Sequence, residues 1–533
     1  MEETFDYVIV GAGAAGCVLA YRLSQDPANR VLLIEAGGSH RHPFITMPKG
    51  IFKIMASPVH MWPYMTQPDT ASKHAAESWA RGRTLGGSSS VNGMVYVRGQ
   101  DADYDSLAAN SSEDWSWQHI GAAYRAMENH ELGPAPTRGD RGPLHISLPE
   151  MRTPLIDAAI KAGASMGLAP KADVNDPEDV PRIGYAPRTI YRGRRQSGAT
   201  AFLDPIRDRK NLTVITGAAV DAVEFDGRRA SSVRAIHNGA TVRFKARREI
   251  LLSGGTLSTP AVLQRSGVGP AELLHRHGVA LVQESPEVGR NVVEHRGLVM
   301  QWRVPDRSSV NRDLQGWRRY RSATQYYLTR RGPLAAGVYD AVAYFKSRAD
   351  LSRPDMQMLI APFSINYTNP AAGVEAHGGM NLCVYPLRPE SKGSVSIRSR
   401  DASELPEIQS GYGTAPDDRK KMIDIVRLTR RFVKSPALAA FQPQETRPGA
   451  EYQSDEQILD AHLQMGYTNY HACGSCRMGR DEQSVVDPRL RVRGVDGLRV
   501  VDTSVFPVMP SGNTNGPAMV LGWRAADLIL AER

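Results

Sequence analysis

Phe5-Asp-Tyr-Val-Ile-Val-Gly-Ala-Gly-Ala-Ala-Gly-Cys-Val-Leu-Ala-Tyr-Arg-Leu-Ser24, followed by Val31-Leu-Leu-Ile-Glu35, is the stretch from which the fold is read. Phe5 to Val10 is a compact apolar run with the length of a buried strand, and it stops at Gly11-x-Gly13-x-x-Gly16. Ala14 to Ser24 then sets Cys17, Leu19, Ala20 and Leu23 at helical spacing, and Asp26-Pro27 ends the helix. Strand, glycine turn, helix and second strand together predict a parallel α/β unit that holds a dinucleotide. Gly11 permits the tight turn, Gly13 admits the backbone to a pyrophosphate, and Gly16 lets helix and strand pack closely. Ala14 and Ala15 open the helix whose N–H groups and positive dipole end face that anion. Glu35 stands 19 residues beyond Gly16, where a carboxylate accepts from both ribose hydroxyls and repels a 2′-phosphate. The plain alternative is a ligand-free glycine turn, and the strand, helix, spacing and acid together weigh against it. The motif by itself does not separate FAD from NAD.

Working outward, the 533 residues predict two to four structural units at about 150 residues each. No run of about 18 apolar residues offers a membrane span. Met1 to Asp6 is acidic and leads directly into the first strand, unlike a secretory signal. These features predict an intracellular, cytoplasmic protein. The net charge of +9 comes from arginines dispersed among acids, with no long basic run and no nucleic-acid motif, so nucleic acid is not an expected partner. Trp317-Arg-Arg-Tyr-Arg321, followed by Tyr326 and Tyr327, is a basic and aromatic patch. It suits a pocket mouth, a peripheral membrane contact or a docking site for an electron acceptor; a solvated helix is the commoner meaning of such a patch. Four cysteines in a chain of this length make no disulfide framework.

Residues 38 to 80 are irregular and rich in Pro, His and Met, with Trp62 and Trp79, as in a binding loop or lid. Strands are expected at Leu212 to Thr216, Val220 to Phe225, Val242 to Ala246 and Glu249 to Ser253, with a helix from Pro260 to Arg265. From 301 to 465 the composition changes, and alternating apolar segments such as Met356 to Ile360 and Asn381 to Tyr385 indicate a second domain. A strand at Leu498 to Val501, a loop over 507 to 517 and a helix from Ala518 to Leu530 close the chain.

Two further stretches are rich in small residues: Arg81-Gly-Arg-Thr-Leu-Gly-Gly-Ser-Ser-Ser-Val-Asn-Gly-Met-Val-Tyr-Val-Arg98 and Leu252-Ser-Gly-Gly-Thr-Leu-Ser-Thr-Pro-Ala-Val-Leu-Gln-Arg-Ser-Gly267. Both resemble the signature patterns of the glucose–methanol–choline (GMC) oxidoreductases, and the chain is similar to the choline-dehydrogenase-like branch of that family. The resemblance implies an α/β fold: a Rossmann-like FAD-binding domain, discontinuous over 1–155, 190–300 and 466–533. The substrate-binding domain, α+β on an antiparallel sheet, would take 156–189 and 301–465. It implies FAD, with Gly11, Gly13, Ala14, Ala15, Gly16 and Glu35 at the AMP half. Gly87, Asn92, Gly93, Met94 and Val95 would lie against the ring, Val220 near the adenine, and Asp502 and Thr514 along the chain between. Where some relatives tether the flavin to a histidine, this chain has Val91, which offers no nucleophilic atom. The expected link is therefore non-covalent, and denaturation should release the flavin.

An alcohol yields a hydride only as its hydroxyl proton leaves, which calls for a base, and a histidine suits that task. Tyr470-His-Ala-Cys-Gly-Ser-Cys-Arg-Met-Gly479 resembles the family segment whose histidine is that base, here His471. Pro510-Ser-Gly-Asn-Thr-Asn515 resembles the facing loop, with Asn513 in the partner position and Asn515 supporting the loop or the flavin. The implied reaction oxidises a primary alcohol by hydride transfer to flavin N5. Alternatives are choline or another amino alcohol oxidised in the same way, a flavin-containing hydroxynitrile lyase, and a binding protein with an inactive flavin site. Trp62, Asp340 and Tyr470 are the substrate-contact candidates, Asp340 because choline-oxidising relatives carry a glutamate near its place. His471, Cys473 and Cys476 lack a fourth ligand for zinc nearby in sequence, so no metal is expected and both cysteines are read as structural thiols. Oxygen, a quinone or a carrier protein would each serve as acceptor, and the paired cysteines favour one other than oxygen.

Overall fold

The computed structural model describes residues 4–69, 75–178 and 180–532, so Met1–Glu3 of the acidic start and 70–74 of the expected lid lie outside the described residues. The first apolar run is the strand Thr4–Val10, buried from Phe5 onward, and Val31–Glu35 is buried throughout. Strands covered on both faces read as unbroken apolar runs, which is why both were visible in the sequence. They pair in parallel, Tyr7 opposite Val31 and Val10 opposite Ile34, and Leu212–Thr216 extends the sheet beyond Val31–Glu35. On the other side Ala240–Leu252 runs parallel to Thr4–Val10, and Leu498–Val500 runs parallel to it in turn. Ala218–Asp226 and Arg229–His237 complete the seven strands as antiparallel neighbours.

Two sequence expectations are corrected here. Val242 to Ala246 and Glu249 to Ser253 belong to one strand, Ala240–Leu252, whose first half is largely exposed and whose last three residues are buried. Arg247-Arg248 interrupts the apolar pattern and coincides with a register shift against Thr4–Val10, Phe5 pairing with Ala246 and Tyr7 with Glu249, but the strand itself continues. Arg229–His237, which the sequence reading passed over, carries Arg229, Ser231 and Arg234 among its apolar residues.

The turn after the first strand needs its glycines. Gly11 has φ +97°, and a Cβ on Gly16 would stand 2.0 Å from the Gly11 carbonyl oxygen. The helix Ala14–Leu23 is crossed by the terminal helix Asn515–Ala531, where a Cβ on Gly522 would meet the Ala15 carbonyl oxygen at 2.7 Å. Arg22 binds Asp527 at 2.8 Å and lies 4.3 Å above the Trp523 ring, fastening the same crossing. The terminal helix starts at Asn515, ahead of the expected Ala518, because Pro517 falls in its first turn, where a missing N–H breaks no bond. This crossing brings the 510–515 loop to the glycine turn.

The second sheet has eight strands. Its body orders Arg296–Arg303, Gly379–Pro386, Met356–Ala361, Ala341–Phe345 and Arg182–Tyr185 antiparallel. Gln444–Arg447 and the short parallel Ala169–Pro170 form its edges, and Tyr467–Thr468 pairs with the start of Arg296–Arg303. One face packs on the helices Pro154–Ser165, Pro416–Val433 and Asp455–Met465 through Leu155, Phe432 and Ile458. The other turns Val299, Val342, Leu359 and Tyr385 toward Val95 and Val97. A Rossmann-like α/β unit beside an antiparallel sheet is thus the observed fold. The breaks expected at 300/301 and 465/466 fall inside one strand of this sheet and just before another. Among the described residues no helix is long and apolar enough to cross a membrane.

Candidate active site

A cavity of about 480 Å³ receives side chains from both sheets. It is lined by Gly11, Gly13, Ala14, Ala15 and Glu35 from the first unit, by Gly87 and Asn92 to Val95 from the second stretch, and by Val220, Asp502 and Thr514. Trp62, Tyr470, His471, Asn513 and Asn515 line it as well. The structure thus gathers nearly every residue singled out from the sequence into one space. Gly16 stands behind the turn, packed on Gly11, and Asp340 stands apart.

The end nearest the glycine turn suits a dinucleotide. Glu35 accepts from the backbone N–H of Ala12 at 3.0 Å and of Gly37 at 2.8 Å, and burial pushes its carboxyl up to about 7. Asp502 accepts from the Gly255 N–H at 2.9 Å and the Thr259 hydroxyl at 2.6 Å, which ties the 253–259 turn to the last strand. Two buried polar atoms in the lining, Ser253 Oγ and Asn515 Nδ2, have no hydrogen-bond partner among the described residues. Such atoms are costly unless a ligand pairs with them. Small residues, an acid at the second strand's end and orphaned polar atoms together fit an adenine dinucleotide. Beside them, Asn92 Oδ1 accepts from the Met94 N–H at 3.0 Å and from the buried Arg195 at 2.7 Å, a partner that sequence reasoning missed. Val91, buried in the lining, presents only methyl groups.

At the other end, His471 is buried, and its Nε2 lies 2.9 Å from Asn513 Nδ2. The amide of Asn513 is oriented by Gln357, which donates to its Oδ1 at 3.2 Å. Glu294 holds the loop beneath: its carboxylate accepts from the backbone N–H of His471 at 2.8 Å and of Ala472 at 2.9 Å, and from the Thr468 hydroxyl at 2.9 Å. Tyr470 and Met94, both in the lining, have φ of +63° and +65°. Non-glycine residues in that region store strain that the surrounding structure must enforce. Burial, His295 and Arg81 hold the His471 imidazole well below its ordinary pKa, so it is a neutral group with one unprotonated ring nitrogen. A hydroxyl brought to this pair meets an acceptor on His471 and a donor on Asn513.

Asp340 does not take the substrate role considered for it. It is buried, its carboxylate lies 3.5 Å from Arg188, and it is absent from the cavity lining. The acids that do line the cavity are Glu35, Asp502 and an exposed Glu404. Around His471 the lining is instead Tyr467, Asn469 and Tyr470, with Val338, Tyr339, Leu359 and Ile365. Cys473 and Cys476 are buried free thiols whose pKa values burial raises, and among the described residues no His, Cys, Asp and Glu group is arranged to hold a metal. Glu294, His295 and Gln357 were not found from the sequence, because each lies in or beside a buried strand where nothing in the local pattern marks it.

The GMC oxidoreductase family models match this chain over residues 5–296 and 389–522. It is 36% identical to an oxygen-dependent choline dehydrogenase of Chromohalobacter salexigens, over 98% of this chain and 94% of that protein. It is 37% identical to an oxygen-dependent choline dehydrogenase of Escherichia coli K12, over 99% and 96%. Among solved structures it resembles a pyridoxine 4-oxidase from Mesorbium loti, with TM-score 0.88, 30% identity and 99% and 100% of the two chains covered. It also resembles an Aspergillus oryzae RIB40 formate oxidase variant, with TM-score 0.92, 27% identity and 100% and 99% covered.

Proposed function

The chain belongs to the GMC oxidoreductase family and is an FAD-dependent oxidoreductase acting on alcohol CH–OH groups, and from that premise we propose that it oxidises a small uncharged primary alcohol to the aldehyde with His471 as base. FAD, when bound, supplies the acceptor for the hydride leaving the carbinol carbon. Everything else falls to the chain's own residues. His471 takes the hydroxyl proton at Nε2, and Asn513 donates to the substrate oxygen and fixes its position. Gln357 holds that amide, and Glu294 holds the backbone under the histidine. Val91 offers no atom for a covalent link, so the flavin is read as non-covalent.

The observation that carries this reading is the His471–Asn513 pair at 2.9 Å, in a cavity that also receives Glu35 and the glycine turn. Preference for an uncharged substrate rests on the carboxylate next to His471. A quaternary ammonium is ordinarily met by a carboxylate and an aromatic cage. Here Glu294, beside His471, has its oxygens in bonds to Thr468 and to the backbone. Choline remains the second reading because the relatives above carry that name. Neither the family models nor these relatives indicate a hydroxynitrile lyase.

The test is anaerobic flavin reduction followed by absorbance over aliphatic, aromatic, amino and polyol alcohols, choline included. Uncharged primary alcohols should bleach the flavin, and bleaching by choline alone would reverse the order of the two readings. His471→Ala should slow reduction by about 10²–10⁴-fold with FAD still bound. Mixing the reduced protein with oxygen or a quinone then identifies the acceptor. Helix Arg318–Thr329 is read as a peripheral contact with an anionic bilayer: Trp317, Tyr320 and Leu328 point to solvent at 67%, 62% and 79% exposure, beside Arg318 and Arg319.

A further inference from the structure

His295 immediately precedes the strand Arg296–Arg303, is fully buried, and is not among the residues that line the cavity. Its Nε2 lies 2.8 Å from the carbonyl oxygen of Leu387. A carbonyl has lone pairs only, so Nε2 must carry the hydrogen of that contact. A neutral imidazole has one N–H, which leaves His295 Nδ1 as an acceptor. That atom lies 3.0 Å from His471 Nδ1. Two imidazole nitrogens at this distance need one hydrogen between them, so His471 Nδ1 donates and His471 Nε2 keeps its lone pair. That lone pair is the one facing Asn513, whose NH₂ is turned toward it by Gln357. Four contacts in series therefore agree on one proton arrangement, from the Leu387 carbonyl through His295, His471 and Asn513 to the Gln357 amide.

We propose that His295 is a positioning residue that sets the tautomer of His471, so that Nε2 is the basic atom at the moment an alcohol arrives. This rests on the reading of His471 as base. In the reaction the alcohol O–H bond breaks and its proton passes to His471 Nε2, while the hydride pair leaves carbon for the flavin. The imidazolium so formed keeps its Nδ1–H directed at the neutral acceptor on His295, and the positive charge is stabilised where it develops. The surroundings keep His295 neutral for this role. The Tyr385 ring lies 4.8 Å away, Arg388 and His471 are the charged or titratable groups acting on it, and burial pushes its imidazole down to about 4. Arg81 acts likewise on His471. With an acid in place of His295 the histidine would be more basic, and with no acceptor the other tautomer, its hydrogen on Nε2, would compete.

A charge series at this position tests the proposal: His295→Asp, His295→Asn and His295→Leu in the FAD-loaded full chain. The rate constant of anaerobic flavin reduction is followed against pH with an alcohol that bleaches the wild type. His295→Asn retains an acceptor oxygen and should stay near the wild-type profile. His295→Asp should move the acidic limb to higher pH. His295→Leu should lower the limiting rate on the order of 10²-fold, at unchanged FAD content and alcohol affinity. A limb that does not move with the Asp change, a limb that moves equally with Asp and Asn, or a Leu variant at the wild-type rate overturns the proposal. If the Leu variant does not fold, the Asp and Asn profiles still decide. Wild-type reduction by His471→Ala would instead remove the underlying reading of the base, so the two failures are distinguishable.

Discussion

At the scale of single residues, the candidate site is a problem of keeping a histidine neutral. Burial, His295 and Arg81 all lower the pKa of His471 below its ordinary value of 6.5. The base is lost only when it protonates, so the acidic limb of flavin reduction should lie below pH 6.5, and a rate already halved at pH 7 would contradict this. The same burial links to stability. His295 titrates near 4 in the fold and near 6.5 when unfolded. Between those values the unfolded chain binds the proton and the folded chain does not, so stability is full above 6.5 and declines as pH falls through this window. His471 was legible only through the resemblance of Tyr470-His-Ala-Cys-Gly-Ser-Cys-Arg-Met-Gly479 to the family segment, since nothing else marks one of the 14 histidines. His295 was not, because it sits in Val292-Val293-Glu294-His295-Arg296, 176 residues away, and a tautomer is set by what faces a ring in space. Asp340 illustrates the opposite error: a plausible carboxylate in sequence is consumed by Arg188 in the fold.

At the scale of elements, legibility followed burial. Tyr7–Val10 and Val31–Ile34 are unbroken apolar runs and were visible, whereas Arg229–His237 mixes charged and apolar residues throughout and was not. The crossing of Ala14–Leu23 by Asn515–Ala531 depends on Gly522, whose added Cβ would press on the Ala15 backbone at 2.7 Å. Gly522→Leu should therefore destabilise by about 1–3 kcal/mol and lower the FAD content of the purified protein; normal flavin occupancy would show that the crossing tolerates a gap. The helix Arg318–Thr329 makes a different prediction. Arg318 and Arg319 stack on Trp317 and Tyr320, and an anionic surface should attract each arginine by about 1 kcal/mol. The protein should sediment with phosphatidylglycerol vesicles at low salt and less at high salt, and Arg318→Glu with Arg319→Glu should abolish it. Equal recovery on phosphatidylcholine, or none on either, would return this helix to ordinary solvated surface.

At the scale of the whole molecule, the cavity joins two sheets that each have their own core. Glu35 and Gly11 reach it from the parallel sheet, and Leu359 and Tyr467 reach it from the antiparallel one. Saturation with FAD at a hundred times its Kd should stabilise the fold by about 2.7 kcal/mol. Hydrogen exchange should slow in Val31–Glu35 and in Met356–Ala361 together, and protection confined to the first would separate the two units energetically. The sequence reading placed the breaks between units by composition, which cannot register that the strand Arg296–Arg303 runs through one of them and that Tyr467–Thr468, just past the other, belongs to the same sheet. The helix crossing at Gly522 also bears on biosynthesis. A ribosome releases the glycine turn long before the strand Leu498–Val500 and the helix that covers the turn. Until then the cofactor has half a cradle, with Asp502, Asn513 and Asn515 still missing. Flavin capture should therefore wait for those residues, and a chain cut short before Leu498 should leave the ribosome colourless.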